Sequence, residues 1–361
     1  MEIVAYLEQA VANQASDLFI VAGGPVCIKQ EGHIRPVGEE RLMPPKTKQL
    51  ISEIYQLAER SMDAYEKQGD DDFSFAIASL ARFRVSAYRQ RGSMAAVVRV
   101  VSFQIPDWQK INIPQRIMDL AKTSHGMILM TGTAGSGKST TQACLIDQIN
   151  RTRNGHIITL EDPIEFLHRN QQCIISQREI AVDTADYPSA LRSCLRQAPD
   201  VILLGEMRDP DTIQTTITAA ETGHLIIGTL HTKGAINAID RIVDSFPSSY
   251  QSQIRTMLSM VLQTVVSQQM VPDKNGNAVP VFEVMHVNSA IRALIRDNKS
   301  HQISNAMAAG NAEGMITMDQ ALLELYHKGV ITKETAIEHA DTPDLIKRQL
   351  AMGQKSLGKL F

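Results

Sequence analysis

The chain has 361 residues, 43% hydrophobic and 21% charged, with a formal net charge of -3. At roughly 100–200 residues per domain that length suggests two or three domains. So much apolar surface excludes a chain disordered throughout, and the near-neutral charge excludes a nucleic-acid or anionic-membrane binder acting through bulk electrostatics. No stretch approaches the ~18 consecutive apolar residues that span a bilayer. Glu2 stands where a signal peptide carries positive charge, and Glu8 interrupts the apolar run. The expected location is therefore cytoplasmic. Cys27, Cys144, Cys173 and Cys194 form no C-x-x-C pair, which argues against zinc and against a disulfide framework. They read as buried or half-buried residues of a reducing compartment.

In chain order, Ile3, Val4, Leu7 and Val11 follow helical spacing and lead into the apolar run Leu18–Ala22. CIKQ and HIRPV flank Glu31-Gly32, which reads as a hairpin turn. Pro44-Pro45 precede a helix carrying Leu50, Ile51, Ile54 and Leu57. Asp70-Asp71-Asp72 lacks metal-ligand spacing and reads as a solvated turn. Three strand-like runs follow, Asp72–Ile77, Arg82–Arg89 and Met94–Val101; in the middle one Phe83, Val85 and Ala87 alternate with Arg82, Arg84 and Ser86. Residues 1–102 are thus expected to form a small α+β domain, and 103–114, with two prolines and no sustained period, a linker. From residue 115 to 361 the runs GMILMT, HIITL, DVILL and HLIIGTL alternate with helical segments, which predicts a mostly parallel α/β sheet covered on both faces. A long helix over 248–266, a hairpin around Lys274-Asn275-Gly276, short helices to residue 350 and a frayed tail QKSLGKLF complete the expected chain.

The strongest chemical signal is Gly132-Thr133-Ala134-Gly135-Ser136-Gly137-Lys138-Ser139, a full match to the P-loop pattern G-x-x-x-x-G-K-S/T between a strand and a helix. Its glycines let backbone N–H groups turn toward phosphate, and the helix amino end adds a favourable dipole. Lys138 would reach the β- and γ-phosphates and Ser139 would hold Mg²⁺, with Thr140 completing the ATP-binding set.

Ligands of open α/β sheets sit outside the carboxyl ends of the strands. Those ends carry Glu161-Asp162-Pro163, Gly205-Glu206-Met207-Arg208-Asp209 and His231. One carboxylate there can orient or deprotonate the attacking water, and another can hold the magnesium shell. An ordinary Walker B strand ends in Asp, whereas this one ends in Gly205-Glu206, so the carboxylate contact to Mg²⁺ is expected through water. The alternative for each carboxylate is a charge at a helix amino end. His224 opens its strand, where a structural hydrogen bond and a functional role compete; His231 at the carboxyl end favours function. Arg82, Arg84, Arg89, Arg91 and Arg99 form either a solvated face or a source of arginine fingers. Nucleic acid is a poorer match, with 5% aromatic residues to stack on bases. In Ala290-Ile291-Arg292-Ala293-Leu294-Ile295-Arg296-Asp297 the apolar residues share one helical face and the arginines another, as on an ordinary surface helix.

ITLEDPIEF resembles the Asp box of secretion-type hexameric ATPases, Gly205-Glu206 their atypical Walker B, and AETGHLIIGTLHT their His box. From SDLF near residue 16 to about residue 350 the chain is similar to the type IV pilus retraction ATPases of twitching motility. The resemblance implies an N-terminal PAS-like domain, a RecA-like ATPase domain and a homo-hexamer with nucleotide at subunit boundaries. It implies ATP hydrolysis with Mg²⁺, coupled to an inner-membrane platform protein that withdraws pilin, and membrane contact only through partners. By the same resemblance Glu161 is the catalytic carboxylate, Glu206 the Walker B glutamate and a magnesium ligand beside Ser139, and His231 a His-box residue near the subunit boundary. Arg82 and Arg208 become charge-stabilising arginines. Arg292 and Arg296, in a segment similar to AIRNLIRE, become coupling residues rather than hydrolytic ones. The chain lacks the tetracysteine insert of assembly ATPases, which favours retraction over an assembly or secretion ATPase. Ser16-Asp17-Leu18-Phe19 and QAPDVILLGE resemble the PilU branch, AIRALIRD the PilT branch. A main motor and an accessory or regulatory subunit with weak hydrolysis, dependent on a paralogous ATPase, both fit that mixture.

Overall fold

The computed structural model describes residues 1–30, 32–78, 80–101 and 104–357. Two units divide them: Met1–Ile105 with Ile164–Arg169, and Pro106–Pro163 with the residues from Asn170 onward.

In the first unit, α1 (Glu2–Ala12) buries Ile3, Leu7 and Ala10 along one stripe. The strands β1 (Asp17–Ile20), β2 (Cys27–Gln30) and β3 (His33–Pro36) follow, the last two paired antiparallel; Glu31 of the expected turn lies outside the described residues. Helix α2 (Pro44–Leu57) opens on its two prolines, which remove only N–H groups that have no helical partner, and buries Leu50, Ile51, Ile54 and Tyr55. After α3 (Asp63–Gln68) the strands β4 (Asp70–Ile77), β5 (Ala81–Gln90) and β6 (Ser93–Val101) form a meander. The antiparallel sheet has the order β3-β2-β1-β6-β5-β4. Phe83, Val85 and Ala87 of β5 face the core and Arg82 and Arg84 do not. The expected solvated turn at Asp70-Asp71-Asp72 is corrected, because these residues begin β4. Asp71 is buried and accepts from Tyr55 Oη at 3.1 Å and from Arg60 Nε and Nη2 at 2.9 and 2.8 Å.

The second unit starts with α4 (Gln115–Met118), β7 (Gly126–Thr131), α5 (Lys138–Thr152), β8 (Gly155–Glu161), β9 (Cys173–Glu179) and α6 (Tyr187–Cys194). It continues through β10 (Val201–Leu204), α7 (Pro210–Glu221), β11 (Leu225–Leu230), α8 (Ala235–Asp244), α9 (Ser248–Val261), β12 (Leu262–Pro272) and β13 (Ala278–His286). Five helices close the chain: α10 (Ser289–Arg296), α11 (Ile303–Ala309), α12 (Met318–His327), α13 (Lys333–Glu338) and α14 (Pro343–Leu357). The sheet order is β13-β12-β7-β11-β10-β8-β9, parallel except for the antiparallel β12–β13 edge. Every residue of β7, β10 and β11 is buried, as strands covered on both faces must be. The chain is thus an α/β protein with a smaller α+β unit at its amino end.

Three further expectations are corrected. The helix predicted over 248–266 stops at Val261, and its last residues join β12 beside β7. Strand β9 (Cys173–Glu179) adds a strand that the sequence pattern does not predict. Gln354–Leu357 of the expected frayed tail belong to α14, and its last four residues lie outside the described residues. Cys144, Cys173 and Cys194 are buried, Cys27 is half-buried, and all four are free thiols. Among the described residues no helix is long and apolar enough to cross a membrane.

Candidate active site

The P-loop joins β7 to α5. Gly132 holds φ at +148°, and a Cβ there would lie 2.2 Å from Gln268 O and 2.7 Å from Ser136 Oγ, so β12 presses on the loop where only hydrogen fits. Thr133, Ala134 and Gly135 are exposed at the loop crest, Ser136 is buried, and Gly137, Ser139 and Thr140 are half-buried. Lys138 is buried, and its Nζ donates to Gly132 O at 2.6 Å and to Thr133 O at 2.8 Å. Behind it, Thr141 Oγ1 donates to Gln268 Oε1 at 2.8 Å, tying α5 to β12. A tight cradle, a buried ammonium and a helix amino end suit a polyphosphate.

Beside the loop, β11, β10 and β8 are consecutive neighbours, and their carboxyl ends carry His231, Glu206 and Glu161. Glu206 Oε2 is 2.7 Å from Arg208 Nε and 3.6 Å from His231 Nε2. Glu161 accepts from Thr159 Oγ1 at 2.6 Å and from Gln177 Nε2 at 3.2 Å. The structure therefore brings Glu206, Arg208 and His231 together, and puts Glu161 at the end of the adjoining strand. The amino end of α7 is capped by Asp209, which accepts from Thr212 N at 2.8 Å, so Glu206 is not needed there. The glycine where an ordinary Walker B strand has Asp also has a cause. A Cβ on residue 205 would lie 2.8 Å from Tyr187 Oη and 3.2 Å from both Leu160 O and Glu161 Cα.

Thr229 is a site residue the sequence reading missed. Its hydroxyl accepts from Gln142 Nε2 of α5 at 2.7 Å and donates to Leu204 O at 2.9 Å, and its carbonyl accepts from Met207 N at 3.0 Å. One residue of β11 thereby holds the backbone on both sides of Glu206 and links it to the P-loop helix. A polar residue inside the apolar run LIIGTL was the available signal.

Other expected residues lie elsewhere. His224 closes the α7–β11 turn, with Nδ1 at 2.9 Å from Ala219 O and 3.1 Å from Thr222 Oγ1, a structural arrangement at the sheet's other end. Arg82 lies on β5 of the first unit; on the same sheet Arg99 pairs with Asp17 at 3.1 Å. Arg292 is turned back onto α9, donating to Ser259 O and, at 2.7 Å, to Met260 O, which satisfies carbonyls at that helix's end. Arg296 is exposed and meets Asp297 at 3.3 Å.

The chain matches the family described as Type II/IV secretion system protein over residues 2–356. It is 41% identical over 345 residues to the type IV pilus retractation ATPase PilT of Pseudomonas aeruginosa, covering 95% of this chain and 99% of that one. It is 37% identical over 358 residues to the type IV pilus ATPase PilU of the same organism, covering 99% and 93%. A crystal structure of the pilus retraction motor PilT with bound ADP superposes with a TM-score of 0.87 at 42% identity, covering 96% of this chain and 99% of that one. Likeness of this extent, in a chain with a formed P-loop, shows that it belongs to the Type II/IV secretion system protein family, the secretion-type nucleotide-binding ATPases.

Proposed function

We propose that this chain is a motor ATPase that powers type IV pilus retraction. The observation that carries the reading is the buried Lys138 cradle beside Glu206, itself held between Arg208 and His231, in a chain similar to PilT along nearly its whole length. The loop from Gly132 to Thr140 binds the phosphates of ATP, with Lys138 reaching the β- and γ-phosphates. Glu161 orients the attacking water and takes its proton; Arg208 and Arg82 stabilise the charge that develops on the transferred group.

Mg²⁺ would be held by Ser139 and, through water, by Glu206. Among the described residues no group of three His, Cys, Asp or Glu side chains is placed to hold a metal ion, so most of the ion's oxygens would come from phosphate and water. When bound, the ion neutralises charge on the β- and γ-phosphates. The working form is a homo-hexamer whose first unit is PAS-like, acting in the cytoplasm on an inner-membrane platform protein.

Deleting the gene and restoring it with either the parental or the Glu206→Gln sequence tests this reading. Cells with the deletion or with Glu206→Gln should keep surface pili and fail to retract them. Cells that lose their pili while retraction by other means persists would overturn it. The 37% identity to PilU over 99% of the chain supports a second reading, an accessory ATPase acting beside a paralogue. Turnover by the purified chain alone separates the two.

A further inference from the structure

Tyr187 is the first residue of α6, directly after the cap residue Asp186, whose side chain accepts from Ser189 N at 2.7 Å. That cap fixes the backbone from which the phenol projects, and the ring packs against the main core of the second unit. The hydroxyl at its tip is buried and has no hydrogen-bond partner among the described residues. It stands at the carboxyl end of β10, 2.8 Å from where a Cβ on Gly205 would be, one residue before Glu206. Burial first, and then the charges of Glu206, Asp162 and Glu161, push the phenol well above its ordinary pKa, against a smaller opposing effect of Arg208. The phenol therefore keeps its proton and stands as an unused donor beside the Glu206 strand end.

Folding gains nothing from a hydroxyl in that position. A phenylalanine would fill the same space without desolvating an O–H. Buried polar groups are served by protein, by water or by a ligand, and an orphan at the strand end that carries Glu206 points to the last two.

We propose that Tyr187 is a further catalytic residue of the hydrolytic site, donating its hydroxyl hydrogen to the attacking water and so turning that water's lone pair toward the γ-phosphate. This rests on the ATPase reading above. In the reaction the water oxygen bonds to the γ-phosphorus while the bond to the β–γ bridging oxygen breaks. The electron pair leaves with ADP, the water's proton passes to Glu161, and Tyr187 keeps its own proton throughout.

The test is Tyr187→Phe in the full chain, which removes one oxygen and keeps the ring. Steady-state hydrolysis should show kcat down about tenfold or more, with KM for ATP within about twofold and the thermal midpoint unchanged or raised. A parental kcat with a raised midpoint would mean that the hydroxyl is only tolerated, and the proposal fails. A lowered midpoint that accounts for the lost activity also counts against it. Glu206→Gln is measured alongside. If Glu206→Gln turns over at the parental rate, the ATPase assignment falls and this inference with it; an inactive Glu206→Gln beside a fully active Tyr187→Phe overturns the inference alone.

Discussion

The ammonium of Lys138 is buried against the carbonyls of Gly132 and Thr133, so the loop stores a positive charge where phosphate will arrive. Lys138→Ala should lower ATP hydrolysis by about 10²-fold or more, the scale of losing one preorganised donor to developing charge, while the thermal midpoint moves little. Nucleotide titration and steady-state turnover check it, and near-parental turnover would remove the P-loop from the mechanism. A second prediction separates the two arginines of α10. Arg292 supplies hydrogen bonds to Ser259 O and Met260 O at the end of α9, so Arg292→Ala should cost about 2 kcal/mol in urea unfolding. Arg296, exposed beside Asp297, should change stability by no more than about 0.5 kcal/mol when replaced by Ala. On the proposed function, a retraction defect in Arg296→Ala therefore reports coupling, whereas one in Arg292→Ala is mixed with a loosened helix end. A loss of stability in Arg296→Ala equal to that in Arg292→Ala would contradict this division.

Strand β13 shows what one element can do for its neighbours. Glu283 Oε1 accepts from Ala235 N at 2.7 Å and Oε2 from Met318 N at 3.2 Å, so one carboxylate satisfies donors at the amino ends of both α8 and α12. Burial raises its pKa above the ordinary 4.5, opposed by the bond from Ala235 and reinforced by Asp341. A carboxyl raised in the folded state contributes stability that is complete below the unfolded pKa and is lost as pH climbs through the folded one. Glu283→Ala should therefore be most destabilising, by about 2 kcal/mol, below about pH 4.5, and the gap to the parent should narrow as pH rises. Denaturation across that range checks the sign, and a gap that widens with pH would show the carboxyl to be depressed instead. The same edge of the sheet marks the limit of the sequence. Leu258, Val261, Leu262, Val265 and Val266 continue a helical spacing, yet from Leu262 the chain enters a slot beside β7 that its β-branched residues also suit. Strand β9 is an edge strand with only Cys173 and Glu179 buried, so it carries no alternation to read. The P-loop and the strand-end carboxylates were legible because each rests on a local motif. Asp71 with Arg60, Arg292 with α9, and Tyr187 with Gly205 were not, because those pairs depend on which distant segments meet.

At the scale of the whole molecule, Arg82 belongs to the first unit and the P-loop to the second. On the proposed reading the ring of six completes each nucleotide site between subunits, which makes turnover a property of the assembly. The rate per subunit should then rise with protein concentration and level off once rings are full. That rise alone would also follow from mere stabilisation by assembly, so a mixing experiment carries the argument. Lys138→Ala and Arg82→Ala should each be inactive by about 10²-fold or more. In a mixed ring, an Arg82→Ala subunit still offers an intact P-loop, and a Lys138→Ala neighbour still offers Arg82, so some sites regain both groups. If neighbours choose each other at random, an equimolar mixture restores about one site in four. Recovery to that fraction of the parental rate would place Arg82 in the neighbour's site. No recovery at any ratio, with rings demonstrably mixed, would place Arg82 in the site of its own subunit, whereas an Arg82→Ala chain with parental turnover would return Arg82 to the solvated sheet face and leave Arg208 as the arginine that answers the γ-phosphate.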